Sequence, residues 1–146
     1  MKAYLLDTNI ISEIMTNEPN QSVIDFLARL QASYLSAITL HELHYGLQLL
    51  PQGQRRNTIA GKLQNLLAHY NDYIIPVNQT IALHAAVLRA DAKQQGRIVH
   101  LADALIASMA KVHDWVVATR FRHWFSGIKN RQLQHERGVL FARCPQ

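Results

Sequence analysis

Three acidic residues occupy positions where a solvated carboxylate is not expected. Asp7 ends the apolar run at residues 3–6. Glu42 lies in the first turn of a predicted helix that follows the second predicted strand, and Asp103 lies in the otherwise apolar first turn of a later helix. Buried carboxylates repel one another, and they are costly unless they are paired or bound to a metal. Mg²⁺ or Mn²⁺ would relieve the repulsion, because these cations prefer oxygen ligands, and would activate water for hydrolysis.

Each carboxylate also has a structural explanation. Asp7 is a good N-cap for the helix that follows it. Thr39 is predicted to cap the helix that contains Glu42, and the two residues have capping-box spacing. The helix dipole favours an acid such as Asp103 near a helix N-terminus. Taken together, these three explanations are less convincing than one shared metal site.

The elements that must bring these residues together are short apolar strands alternating with helices. The predicted strands cover residues 3–6, 33–36, 73–75, 115–118 and 139–142, and the predicted helices cover residues 8–15, 22–30, 39–50, 55–70, 80–95 and 101–112. This alternation predicts an α/β fold around a mostly parallel sheet. In open parallel sheets, functional sites lie at the carboxyl ends of the strands. Asp7 falls at such an end.

Length and composition limit the class of protein. The chain of 146 residues suits one domain, predicted over residues 1–146, and a hydrophobic fraction of 49% argues against disorder. A net charge of +5 suits a polyanionic partner such as nucleic acid. The single cysteine excludes a disulfide framework within the chain, and we find neither a signal segment nor an apolar window of membrane-spanning length. We therefore expect a protein of the reduced cytoplasm, with no membrane partner.

Four short motifs follow one another along the chain. They are LLDTN with Ile11-Ser-Glu13, then LSAITLHELHYG, LADALIA and VVATR. In this order they resemble the PIN-domain family and, within it, the VapC- and FitB-type toxins of type II toxin–antitoxin systems. The resemblance covers nearly the whole chain. It implies an α/β/α sandwich around a mostly parallel sheet of about five strands, and an endoribonuclease that depends on Mg²⁺ or Mn²⁺.

The resemblance also assigns roles to individual residues. The acidic positions that bind metal and carry catalysis in the family correspond to Asp7, Glu42 and Asp103. The polar positions that orient the first of these ligands correspond to Thr8 and Asn9. We therefore expect all five side chains to meet at one site.

The last motif supplies Thr119, which is expected to support the site, and Arg120. A guanidinium matches a phosphate group through two parallel hydrogen bonds, so Arg120 is a candidate RNA contact, together with Arg122. The alternative for Arg120 is a surface ion pair. The partners implied by the resemblance are an RNA substrate, a VapB-like antitoxin and a second copy of the chain, which would give a homodimer and a toxin–antitoxin hetero-oligomer.

The residues after the last motif depart from the family pattern. Phe121 stands where an Asn or Asp is usual, and Trp124 stands where an Asp would precede Phe125. A fourth polar ligand is therefore missing from the pattern, with His123 as its replacement if the local alignment shifts by one residue. This departure supports an alternative function, a PIN-like module that binds RNA or an antitoxin and cleaves poorly.

A third reading makes the chain a phosphatase that uses Asp7 as its nucleophile, because an Asp at a strand end also begins such sites. That class requires a second acid two residues later. Position 9 is Asn, which argues against it.

Overall fold

The computed structural model describes residues 2–120 and, as backbone only, residues 140–143. The predictions that concern Phe121, Arg122, His123 and Trp124 lie outside the described residues.

The described residues form strands and helices in alternation. In chain order these are β1 (Tyr4–Leu6), α1 (Thr8–Ile14), α2 (Gln21–Ala28), β2 (Ser33–Ser36), α3 (Ala37–Leu49), α4 (Gln54–His69), β3 (Ile74–Ile75), α5 (Gln79–Gln94), α6 (Leu101–His113), β4 (Val116–Thr119) and β5 (Leu140–Arg143). A short 3₁₀ helix, Asn71–Tyr73, precedes β3 and was not predicted. The bounds of all other elements agree with the predicted ones to within two residues.

The five strands form one sheet in the order β3-β2-β1-β4-β5, and every neighbouring pair is parallel. In β1, Leu5 is paired with Val117 and Leu6 with Ala118 of β4. All five strands therefore end at the same edge of the sheet. The prediction of an α/β fold with a mostly parallel sheet of about five strands is confirmed.

Helices cover both faces of the sheet. Leu5 and Val117 belong to a core that they share with α5 and α6, and residues 104–110 of α6 are buried in one continuous run. Leu6 and Ala118 belong to the second core, which α1 to α4 complete. Burying a leucine contributes about 1.5–3 kcal/mol. Successive side chains of β1 and β4 point to opposite faces of the sheet, and each set packs against one layer of helices. This arrangement is an α/β/α sandwich.

The junction between β2 and α3 differs from the predicted one. Ser36 is the N-cap of α3: its hydroxyl accepts a hydrogen bond from the Thr39 N–H at 2.9 Å and donates one to the Thr39 hydroxyl at 3.1 Å. The prediction that Thr39 caps the helix is therefore wrong, because the helix begins directly after the strand at Ala37. Glu42, as the sixth helical residue, lies in the second turn and not in the first.

No helix within residues 2–120 combines the length and the apolar character that crossing a membrane requires.

Candidate metal site at the carboxyl edge of the sheet

Asp7 follows the central strand and is only 5% exposed. It is the N-cap of α1, and its Oδ1 accepts a hydrogen bond from the Thr8 N–H at 2.8 Å. Its Oδ2 accepts hydrogen bonds from the Thr119 hydroxyl at 3.0 Å and from the Asn9 side-chain amide. The Asp7 carboxylate therefore caps α1 through Oδ1 and also takes part in the candidate site through Oδ2. Hydrogen bonds to both oxygens hold it in one orientation.

Asn9 connects this carboxylate to the end of β4. Its Nδ2 donates to Asp7 Oδ2 and to Thr119 Oγ1, the latter at 3.1 Å. Its Oδ1 accepts a hydrogen bond from the Arg120 N–H at 2.9 Å. The structure thus brings Asp7, Asn9 and Thr119 into one closed network, as the sequence analysis expected, while their role at a metal stays a prediction.

Glu42 and Asp103 approach the same region from two helices. Burial raises the pKa of the Glu42 carboxyl, and the negative charges of Asp7 and Asp103 raise this pKa further. The Thr8 hydroxyl and the His41 side chain lower it, without reversing the shift. The three predicted carboxylates therefore share one electrostatic field, in which each additional negative charge is unfavourable.

The Thr8 hydroxyl has an unusual environment. Its Oγ1 is buried and forms no hydrogen bond within residues 2–120, although it is near enough to Glu42 to lower the pKa of that carboxyl. The Thr8 hydroxyl therefore lies close enough to Glu42 to favour its ionised form, in a geometry that falls short of a full hydrogen bond. A buried polar group without a partner costs about 1–3 kcal/mol. A water molecule, including one bound to a metal, would satisfy it.

The donor set suits a hard divalent cation. Within the described part of the chain, no three His, Cys, Asp or Glu side chains form a cluster ready to hold a metal. Mg²⁺ does not need such a cage, because it keeps several waters and binds proteins through one or two carboxylates. Asp7, Glu42 and Asp103 offer oxygen ligands of this kind, and a cation would offset the burial and the neighbouring negative charges that raise the pKa of Glu42. The residues fit such an ion.

Arg120 is engaged on the protein itself. Its guanidinium donates to Glu13 Oε2, and the two side chains are 26% and 19% exposed. The other carboxylate oxygen of Glu13 accepts a hydrogen bond from the Asn20 N–H at 2.8 Å, and this bond, followed by the charge of Arg120, holds the pKa of Glu13 below its usual value. The structure thus shows the ion pair that was the alternative for Arg120, and its RNA contact stays a prediction.

Glu13 is a neighbour of the candidate site that sequence reasoning missed. Glu13 belongs to the first of the four motifs, but it lies 107 residues from Arg120, and no periodicity or spacing in one sequence pairs the two. Only the juxtaposition of α1 with the end of β4 does so.

A groove begins at Glu42 and runs between α1, α3 and α4. Its volume is about 860 Å³, and apolar side chains such as Leu43, Leu47 and Ile59 form much of its wall. Arg55, in the first turn of α4, contributes a cation to it. The groove therefore joins the carboxylate site to a largely apolar surface.

A parallel α/β sheet with helices on both faces and acidic residues at its carboxyl edge defines the class of this protein. The chain belongs to the PIN domain family, whose model matches residues 4–123.

Several characterised proteins are similar to this chain. It is 40% identical over 119 residues to Toxin FitB of Neisseria gonorrhoeae, which covers 80% of this chain and 86% of that protein. It is 36% identical to VapC ribonuclease Y4jK of Sinorhizobium fredii, with coverage of 80% and 85%. The crystal structure of FitAcB from Neisseria gonorrhoeae superposes with a TM-score of 0.79 at 35% identity, covering 94% of this chain and 95% of that one.

Proposed function

We propose that this protein is the toxin of a type II toxin–antitoxin system and that it hydrolyses RNA phosphodiester bonds with the help of Mg²⁺ or Mn²⁺. The observation that carries the proposal is the electrostatic coupling of Asp7, Glu42 and Asp103 at the carboxyl edge of the sheet. Relatives named as a toxin and as a ribonuclease, each at least 36% identical, support it. The proposal takes residues 1–146 as one domain that acts on RNA in the cytoplasm.

The proposed chemistry divides between the ion and the protein. A bound divalent cation lowers the pKa of its water and neutralises charge on the phosphate oxygens. Asp7, Glu42 and Asp103 would hold the ion. Asn9 and Thr119 keep the Asp7 carboxylate in a fixed orientation through the hydrogen bonds described above. Glu42 is half-buried, and its pKa is raised by this burial and by the charges of Asp7 and Asp103, so a bound cation would favour its ionised form.

We propose that a segment of an antitoxin fills the groove that begins at Glu42. Its apolar wall suits the apolar face of a peptide, and an occupant of the groove would contact Glu42, which lines it. Similar proteins have been solved in complexes, as FitAcB and as VapBC-1. A homodimer within a larger toxin–antitoxin assembly is part of the same proposal.

A second candidate is a module that binds RNA or an antitoxin and cleaves poorly. Two observations favour it: residues 2–120 hold no ready cluster of three metal-binding side chains, and Arg120 is paired with Glu13. The phosphatase alternative gains no support, because the residue two positions after Asp7 is an amide that donates to it.

The purified chain should be incubated with single-stranded RNA in Mg²⁺, in Mn²⁺ and in EDTA. We expect cleavage that EDTA abolishes and that is lost in Asp7→Asn, a change that keeps the helix cap, because Asn caps helices as well as Asp. Circular dichroism of this variant checks that it folds, since its side chain has one acceptor oxygen in place of two. The matched control is Asp72→Asn, at an exposed carboxylate outside the site, which should cleave like the wild type.

Retained cleavage in Asp7→Asn would overturn the proposal. Binding of RNA or antitoxin without turnover in any metal would establish the second candidate instead. Release of phosphate from small phosphomonoesters, without RNA cleavage, would point to the phosphatase.

A further inference from the structure

We infer that Glu13 and Arg120 form a latch that positions the Asp7 carboxylate, and that Arg120 is a positioning residue and not a phosphate contact. The latch consists of the ion pair between these two side chains and the hydrogen bond from the Arg120 N–H to Asn9. The effect of the latch on RNA cleavage rests on the proposed function. Its effect on the orientation of the Asp7 carboxylate is independent of that proposal.

Arg120 is attached to α1 at two points. Its backbone N–H donates to Asn9 Oδ1 at 2.9 Å, and its guanidinium donates to Glu13 Oε2. Asn9 and Glu13 are four residues apart and therefore lie on the same face of the helix, one turn from each other. The main chain and the side chain of one residue thus fix the end of β4 along a full turn of α1.

The first attachment determines how the Asn9 amide is oriented. Because Asn9 Oδ1 accepts from Arg120, Nδ2 must point the other way, where it donates to Asp7 Oδ2 and Thr119 Oγ1. Rotating the amide by half a turn would place an acceptor against the Asp7 carboxylate and a donor against the Arg120 N–H. Interactions that fix the position of Arg120 therefore also fix the Asn9 amide and, through it, the Asp7 carboxylate.

The second attachment, the ion pair between Arg120 and Glu13, is supported by further hydrogen bonds around Glu13 and the end of α1. Glu13 uses its Oε1 to accept a hydrogen bond from the N–H of Asn20, which is the N-cap of α2. Lys62 of α4 fixes the end of α1, donating to the carbonyl oxygens of Met15 and Thr16 at 3.1 Å each. Both oxygens of Glu13 are thus in use, and Glu13 already balances the charge of the Arg120 guanidinium through one of its terminal nitrogens.

Glu13→Gln separates the two roles of Arg120. Glutamine keeps an oxygen that can accept from Asn20 and removes the charge that holds the guanidinium. If Arg120 positions Asp7, this change lowers kcat by about 10- to 100-fold, as is typical when the support of a ligand is lost, and leaves KM and metal-free RNA binding unchanged. If Arg120 contacts phosphate, the change releases it, and RNA binds as tightly as before or more tightly, with cleavage retained.

The experiment compares Glu13→Gln and Arg120→Gln with Glu18→Gln, a matched loss of charge at an exposed residue. RNA affinity is measured in EDTA by fluorescence anisotropy, and kcat and KM are measured in Mn²⁺. A second readout needs no activity: the side-chain amide resonances of Asn9 in ¹⁵N-labelled, metal-free protein. We expect both latch variants to shift these resonances in the same direction, and Glu18→Gln to leave them in place.

Unshifted Asn9 resonances in Glu13→Gln would overturn the inference, as would wild-type kcat in that variant with tighter RNA binding. If the wild type itself cleaves no RNA, the proposed function fails, and the Asn9 resonances alone then decide on the latch.

Discussion

Thr119 donates a hydrogen bond of 3.0 Å to Asp7, although 112 residues separate them in the chain. The register of the sheet is the cause, because Leu6 is paired with Ala118 and the next residue of each strand therefore lies at the same edge. The Asp7 N–H donates to the Ala118 carbonyl at 3.0 Å and fixes the two ends together. The orientation of the proposed metal ligand is thus a product of strand pairing.

Removing the Thr119 hydroxyl should destabilise this joint. Thr119→Val keeps the shape but leaves the carboxylate without one donor and the Asn9 amide without one acceptor. We expect the free energy of unfolding to fall by about 1–3 kcal/mol, measured by urea denaturation. Thr58→Val is the control, at an exposed threonine of α4, and should change it by less than about 0.5 kcal/mol. Equal stabilities for the two variants would contradict the role of Thr119.

The Glu42 carboxyl gives a prediction for pH dependence. Its pKa is raised in the folded state, so ionisation of Glu42 costs stability as the pH rises from the usual range of glutamate through the raised pKa. In metal-free protein, Glu42→Gln should therefore be more stable than the wild type at neutral pH, and the two should converge in acid. Thermal unfolding between pH 4 and 8 measures this difference, with Glu18→Gln as a control that follows the wild type. A Glu42→Gln variant that is less stable at pH 7 without metal would contradict the assigned pKa shift.

Lys62 should contribute to stability through the end of α1. Lys62→Met keeps most of the apolar stem and removes the ammonium that donates to two carbonyl groups. We expect a loss of about 1–2 kcal/mol, since both charge-assisted hydrogen bonds and a favourable interaction with the helix dipole disappear. Lys93→Met, at an exposed lysine in the last turn of α5, is the matched control: it loses a helix-dipole interaction but no carbonyl contact, and should cost less, about 0.3–1 kcal/mol, in the same urea titration. Equal losses in both variants would show that the carbonyl contacts do not matter.

Filling the groove should weaken antitoxin binding without affecting RNA cleavage. Gly46 lies in the groove wall, and a side chain added there would meet open space. Gly46→Leu gains helix propensity, by up to about 1 kcal/mol, and places its side chain in the groove. Gly61→Leu on α4 gains the same propensity, also into open space, but lies outside the groove wall. We expect a pull-down with the antitoxin to fail for the first variant only, and equal retention by both would exclude the groove as the docking site.

The fold could be predicted from the sequence because its signals are local. Short apolar runs, helix-forming periodicity and chain breaks such as Gly96, which follows the C-cap of α5 with a φ of +73°, each depend on a few adjacent residues. The carboxylate at the end of β1 was predictable for the same reason, since the rule on strand ends needs only the strand and the residue after it.

The remaining features depend on tertiary structure. Thr39 was predicted as a helix cap because threonine caps helices well. The helix begins earlier, however, directly after the strand that ends in Ser36, and Ser36 is therefore its N-cap. The pairing of Arg120 with Glu13 and the field that couples Glu42 to Asp103 arise only where separate elements meet. The sequence supplies the residue types for these contacts and contains no local signal for the pairs.

The direct passage from β2 into α3 limits how this protein can change in length. Ser36 is both the last residue of the strand and the cap of the helix, so no loop exists in which an extra residue could be absorbed. One inserted residue at this junction would turn Glu42 by about 100° around the helix axis and carry its carboxylate away from Asp7. The exposed turn at residues 51–53, between α3 and α4, lies after Glu42 and imposes no such limit. Insertions and deletions should therefore be tolerated in the turn after α3 and should abolish function at the junction before it.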